Sequence, residues 1–248
     1  MSAVDRVGAE FVASARSFLR RRTAVFFTFF FPVLLIAIFA GLIRVQPTGG
    51  GLFSKPTGYY VPAYLAVVVL FTPLSRVGSE VARHVEGNRF EKLATTPLAE
   101  WEWLLAQTLV NVALIVVAAV ALVVALLVLG ASFALSPWLA AFVVVTSVLF
   151  CGVGAILGSL ADSRDGAISM SNGVALPLLF LSDTFVEPSL FPAWFRPLLD
   201  LSPLTYFARG VRQATYAGGS VLGEFVVVCV LAVAFFALAT RMLPWASE

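Results

Sequence analysis

Between Thr23 and Ile43 the chain runs for 21 residues without a charged side chain. About 20 apolar residues are what an α-helix needs to cross the hydrocarbon of a bilayer. With no water there to bond the backbone, a helix is the form such a run must take. Fourteen of its residues are Val, Leu, Ile or Phe. At about −0.3 to −0.6 kcal/mol each they favour insertion by about 4–8 kcal/mol, before Pro32 and the threonines are counted. Five further runs, at 59–75, 103–129, 138–160, 167–185 and 221–243, repeat the pattern. The fold class predicted is all-α and integral to the membrane, with six transmembrane helices in a single domain over 1–248. Only 12% of the chain is charged, against about 25% in soluble domains.

What separates the runs sets the layout. Residues 1–22 carry Arg6, Arg16, Arg20, Arg21 and Arg22 and are too polar to span. Val4, Val7, Phe11, Ala15 and Phe18 recur at helical spacing, which predicts an amphipathic helix lying in the interface with membrane lipids. The apolar run after it exceeds the roughly 7–15 residues of a cleavable signal and is read as a retained anchor. Residues 44–58 form a Gly/Pro-rich turn, and 130–137 is a link so short that the flanking spans must be antiparallel neighbours. Gly154 and Gly158 form a small-x-x-x-small pair suited to close helix packing. Residues 186–220, broken by Pro192, Pro197 and Pro203, predict short helices at the outer surface. Six spans put eleven of the sixteen Lys and Arg on the side holding both termini, which predicts cytoplasmic N- and C-termini.

The densest mix of charges, Arg83 to Pro97, lies between the second and third spans on that same side, and is expected to be a polar loop over 76–100. A charge run between spans is commonly just a solvated loop. Here it is also a place where a soluble partner can grip. Chemistry of other kinds is missing. His84 is the lone histidine, so a two-histidine zinc site is excluded, and no metal or cofactor is expected on this chain. Neither Lys55 nor Lys92 follows a phosphate-cradling glycine loop, so no ATP site is expected. Net charge is only +2, which does not call for nucleic acid. Cys151 and Cys229 sit inside apolar runs as packing residues.

Glu86, Gly87, Phe90, Glu91, Leu93 and Pro97, in that order, resemble the cytoplasmic motif E-G-T-x-E-x-L-x-x-x-P of ABC-2 type exporter permeases of the daunorubicin-resistance and NodJ-like type. Asn88-Arg89 replaces a single Thr, which lengthens the loop by one residue. A second match runs from Leu176-Pro177-Leu178-Leu179-Phe180-Leu181-Ser182 through Pro192-x-Trp194 to Ser202-Pro203-Leu204-Thr205, with Asp183 in place of the usual Gly. The resemblance implies a plasma-membrane permease, not itself an enzyme, that pairs with a second copy or a paralogue. A separate P-loop ATPase subunit would bind ATP. It also implies that Glu86, Gly87, Phe90, Glu91, Lys92, Leu93 and Pro97 form a coupling helix seated in that ATPase, with Phe90 and Leu93 filling an apolar pocket.

Polar residues within apolar spans, Gln107, Asn111, Ser169, Ser171 and Asn172, are candidates for a substrate pathway, although hydrogen bonding between helices is the commoner use of such residues. An amphiphilic drug, a lipid or a glycan-type molecule fits a passage rich in phenylalanine. Two other classes compete: a permease-like assembly or maturation factor, and a lipid-modifying membrane enzyme. The second needs a carboxylate or histidine cluster that the scattered Asp162, Asp165, Asp183 and Asp200 do not supply.

Overall fold

The computed structural model describes residues 2–22, 25, 26, 30, 34, 56–185 and 191–245. Most of the first apolar run, and most of the 44–58 turn, therefore lie outside the described residues. Within them the chain is helical, with no strand. α1 is Ala3–Leu19, and a short 3-10 turn, Thr57–Tyr60, leads into α2, Val61–Glu86. Then come α3 (Arg89–Ala94), α4 (Glu100–Val128), α5 (Pro137–Leu160) and α6 (Arg164–Phe180). α7 (Arg196–Leu199) and α8 (Pro203–Arg212) precede a single π turn, Gln213–Ala217, and α9 (Leu222–Met242). Among the described residues four helices are long and apolar enough to cross a membrane: the one running Thr57–Glu86, α4, α5 and α9. α6, with Pro177 inside it and 17 residues in all, is shorter than the span expected over 167–185.

α2 is the centre. Of its most apolar stretch 72% is buried, against 17% for α9. Its most extensive partner is α5, and glycines set that approach. A Cβ built on Gly154 would come within 2.9 Å of the Leu74 and Pro73 carbonyl oxygens, and one on Gly158 within 2.8 Å of the Val81 Cβ. The backbones thus touch where only hydrogen atoms fit, which is how helices gain dispersion contact when lipid offers no hydrophobic drive. α6 joins from another side, where Ser171 Oγ donates to the Leu74 carbonyl at 3.0 Å.

α2 also corrects the expectation of a loop from residue 76. The helix continues to Glu86 because its apolar stripe continues, with Val77 and Val81 buried one turn apart. Arg76, Glu80 and Arg83 occupy another side of the same turns. A hydropathy window averages the two and ends the span early.

α1 carries a capping box: Ser2 N–H donates to the Asp5 carboxylate at 2.9 Å, and Asp5 N–H to Ser2 Oγ at 3.3 Å. Two faces of the helix are used: in the apolar stripe Val7, Phe11 and Ala15 are half-buried and Phe18 is buried. The polar row Arg6, Glu10, Ser14 faces the protein and docks on α4, while Val4 and Leu19 are 79% and 62% exposed. Arg6 grips the buried Glu102 carboxylate with two nitrogens, at 2.8 and 2.5 Å. Gln107 Nε2 donates to Glu10 at 3.1 Å and to Ser14 Oγ at 2.7 Å. Buried polar groups on α4 require partners, and α1 supplies them.

At the opposite end of α2, Asp183 is only 2% exposed. Arg209 Nε lies 2.8 Å from it and Arg209 NH1 2.7 Å from Asp200. Burial works against the Arg209 charge, but Asp183 and then Asp200 outweigh it and hold its pKa above the usual value. Arg212 donates to the Asp183 carbonyl and stacks over the Tyr59 ring, 4.4 Å from its centroid. The turn after α6 is thereby tied to α8 and to the start of α2.

Replacing Gly158 by Val forces α2 and α5 apart, and should cost about 1–3 kcal/mol. Thermal unfolding followed by size-exclusion chromatography in detergent should show a lowered midpoint. Gly223→Val, at a position with open space around it, should leave that midpoint in place.

Candidate functional site

Two features meet at the end of the bundle where α2 finishes. The first is the segment Glu86–Pro97. α2 stops at Glu86, and Gly87 and Asn88 turn the chain, Asn88 in the left-handed region at φ 48°. Asparagine tolerates that conformation better than most non-glycine residues, so the extra residue of the motif is the one that makes the turn. α3 then runs for six residues, with Glu91 in its first turn and Lys92 in its last, matching the helix dipole. Thr95 Oγ1 donates to the Lys92 carbonyl at 2.8 Å and Thr96 Oγ1 to the Leu93 carbonyl at 2.6 Å, closing the helix before Pro97.

Glu86, Gly87, Arg89, Glu91, Lys92 and Pro97 are exposed, and Leu93 is half-buried. Phe90 is not available to an outside pocket, being 1% exposed. Its ring packs edge-on against Trp103 at 5.0 Å, and lies 5.2 Å from His84 and 5.5 Å from Trp245. Phe90 therefore pins α3 to the ends of α2 and α4 and to the chain beyond α9. A hydropathy pattern could not reveal this, because the four rings come from α2, α3, α4 and, far along the chain, the segment beyond α9. Just beyond, Ala99 N–H donates to Glu102 at 3.0 Å. Glu102, which the sequence alone did not single out, thus ties α1, the end of the 83–97 segment and the start of α4 to one carboxylate.

The second feature is a cavity of about 570 Å³ between α1, α2, α4 and α6. Gln107 and Asn172 both line it, so two of the five pathway candidates are brought together, while Ser171 is taken up by its bond to the Leu74 carbonyl. The other two do not line it. Asn111 lies fully buried within α4, donating to the Gln107 carbonyl at 2.9 Å, and Ser169 is exposed on α6. Glu10, Arg76, Arg83 and Arg164 also line the cavity, none of them expected there from the sequence. For Arg76 and Arg83 the signal was present, as charged residues at helical spacing just after an apolar run. Burial raises the Glu10 pKa above its usual value, against the hydrogen bonds from Ser14 and Gln107 that lower it. Among the described residues no group of three or more His, Cys, Asp or Glu is placed to hold a metal.

The two sides of α3 should separate in mutagenesis. Phe90→Ala should lower stability by about 3–5 kcal/mol, the usual cost of emptying a buried aromatic site. Glu91→Lys, on the exposed side, should stay within about 0.5 kcal/mol. Thermal unfolding of the purified variants distinguishes them. Glu10 yields a pH effect of defined sign. Its folded pKa lies above the unfolded 4.5, so between those values the folded state holds more protons and stability falls as pH rises. Glu10→Gln should remove that slope from a pH series of unfolding midpoints.

Comparison with known proteins bears on the whole chain. A family model described as ABC-2 type transporter matches residues 7–216. The chain is 28% identical over 228 residues to a daunorubicin resistance ABC transporter permease protein of Streptomyces coeruleorubidus, with 86% of this chain and 80% of that one covered. The match takes in the exposed segment Glu86–Pro97 and the helices that line the cavity. With the apolar helices described above, it makes the chain an integral membrane protein and a transport subunit of the ABC exporter kind. This chain belongs to the ABC-2 type transporter family.

Proposed function

We propose that a separate P-loop ATPase subunit drives this permease through Glu86–Pro97, and that an amphiphilic drug, lipid or glycan-type molecule is the exported cargo. The observation that carries the reading is the two-sided build of α3. Its outward face offers Arg89, Glu91 and Lys92 for polar contacts, beside the exposed Glu86 at the end of α2, while Phe90 fastens its inward face to α2, α4 and Trp245. A force applied to such an element moves the helices behind it, because closely packed interiors transmit displacement and do not absorb it.

On this reading ATP is bound by the partner subunit and this chain supplies no cofactor site. α3 and both termini face the cytoplasm in the plasma membrane, and residues 1–248 act as one transmembrane domain of six spans, one of them the run at 23–43. A second copy of the chain, or a paralogue, closes the pathway. The exposed Ser169 and Asn172 on α6 suit a polar face that such a partner covers. The cavity holding Gln107 and Asn172 is where cargo is taken up. The drug-resistance relative supports an amphiphilic cargo by its name.

The test uses the permease co-expressed with its ATPase and reconstituted in vesicles. The two should copurify. Glu91→Lys should keep the fold and the ATPase activity while transport per ATP falls at least about tenfold, the scale of lost interfacial charge contacts. Wild-type transport by that variant overturns the coupling role.

A further inference from the structure

We infer that the cavity between α1, α2, α4 and α6 receives the anionic headgroup of an amphiphile, a phosphate or a carboxylate, with Arg76 as its principal contact. The inference rests on reading this cavity as the cargo site, and it narrows the chemical class of that cargo.

The charges lining the cavity do not balance. Arg21, Arg76, Arg83 and Arg164 face Glu10 and Glu80, an excess of two positive charges. Arg83 and Glu80 pair with each other, which removes one of each sign. Glu10 accepts from Ser14 and Gln107, and burial disfavours its ionised form. Arg21, Arg76 and Arg164 make no ion pair among the described residues. Arg76 is the most telling of them. Its guanidinium carbon sits 4.9 Å from the centroid of the Phe18 ring, and its NH1 is buried with no hydrogen-bond partner. A buried guanidinium nitrogen without an acceptor is costly, and the planar fork matches the oxygens of a phosphate or carboxylate.

The rest of the lining explains why the ligand is an amphiphile and not a free ion. Phe18, Phe71, Ala13 and Ile168 face the same space. At about 570 Å³ the cavity exceeds the needs of an inorganic anion and falls in the range of organic ligand sites. A cationic amphiphile would fill the same volume, but it would meet like charge in a partly desolvated place where repulsion is poorly screened.

Wild-type protein and variants in phosphatidylcholine nanodiscs are titrated with n-dodecyl phosphate, dodecyltrimethylammonium and inorganic phosphate, reading the thermal midpoint. Dodecyl phosphate should raise the midpoint saturably, and the other two should not at the same concentrations. Arg76→Gln should weaken the apparent affinity about tenfold, as expected for a lost charge-assisted bond, whereas Arg76→Lys should retain most of it. Arg164→Gln, at the exposed first residue of α6, gives a second reading that is independent of helix packing and should weaken it about threefold. Discs containing phosphatidylglycerol separate the two sources of such a headgroup. Loss of the wild-type response there assigns the site to a bilayer lipid, and persistence assigns it to a free amphiphile; either outcome upholds an anion site. An equal response to dodecyltrimethylammonium or to inorganic phosphate overturns the inference, as does an unchanged response in both Arg76→Gln and Arg164→Gln. Copurification with the ATPase is a separate measurement, so failure here is distinguishable from failure of the exporter reading.

Discussion

The close approach of α2 and α5 at Gly154 and Gly158 is the contact on which the remaining architecture depends. In a bilayer, helices gain little from hiding apolar side chains from one another, since lipid tails are equally apolar. Dispersion between closely packed backbones must supply the attraction, and it needs side chains small enough to permit it. With α5 drawn onto α2 by glycine, α4, α6 and α8 pack around the remaining surface of α2, and α9 covers α5. The residual exposure of α9 follows from its peripheral place.

The central position of α2 matters because that helix does two things at once. Toward α5 it stays apolar to its last turns, through Val77 and Val81. On another side of the same turns it carries Arg76, Glu80 and Arg83 into the cavity. His84, at its end, touches both Phe90 and Trp103. One helix therefore joins the exposed segment Glu86–Pro97 to the charged cavity. Whatever displaces α3 acts directly on the groups that line the cavity. Glu102 strengthens the same junction from the side of α4, because it holds Arg6 of α1 and the Ala99 amide together.

Several features were legible in the residues because they depend on local composition or spacing. Apolar runs of sufficient length give helices whatever surrounds them, and α4, α5 and α9 begin and end within three residues of the runs read at 103–129, 138–160 and 221–243. The turn at Gly87-Asn88 and the stop at Thr95-Thr96-Pro97 are likewise local chemistry. Other features were misread for a shared reason. Arg76 and Arg83 looked like loop residues because hydropathy has no direction around a helix. The polar row of α1 looked as if it faced solvent or head groups, because nothing local announces Glu102 and Gln107 as its partners about 90 residues away. Asp183 looked like one of four scattered carboxylates because its partners Arg209 and Arg212 are distant in sequence.

By itself, then, the sequence determined that this chain is helical and membrane-embedded, and where its polar segment lies between long apolar helices. Those properties follow from the free energy of placing each residue in hydrocarbon, a sum taken along the chain. Only the tertiary structure decided which side of each helix faces which neighbour. It turned Phe90 inward, put Arg76 beside Phe18, and brought Gln107 and Asn172 to one cavity while leaving Asn111 and Ser169 apart. Such choices depend on pairwise contacts between residues far apart in the chain, and those contacts exist only once the helices have packed.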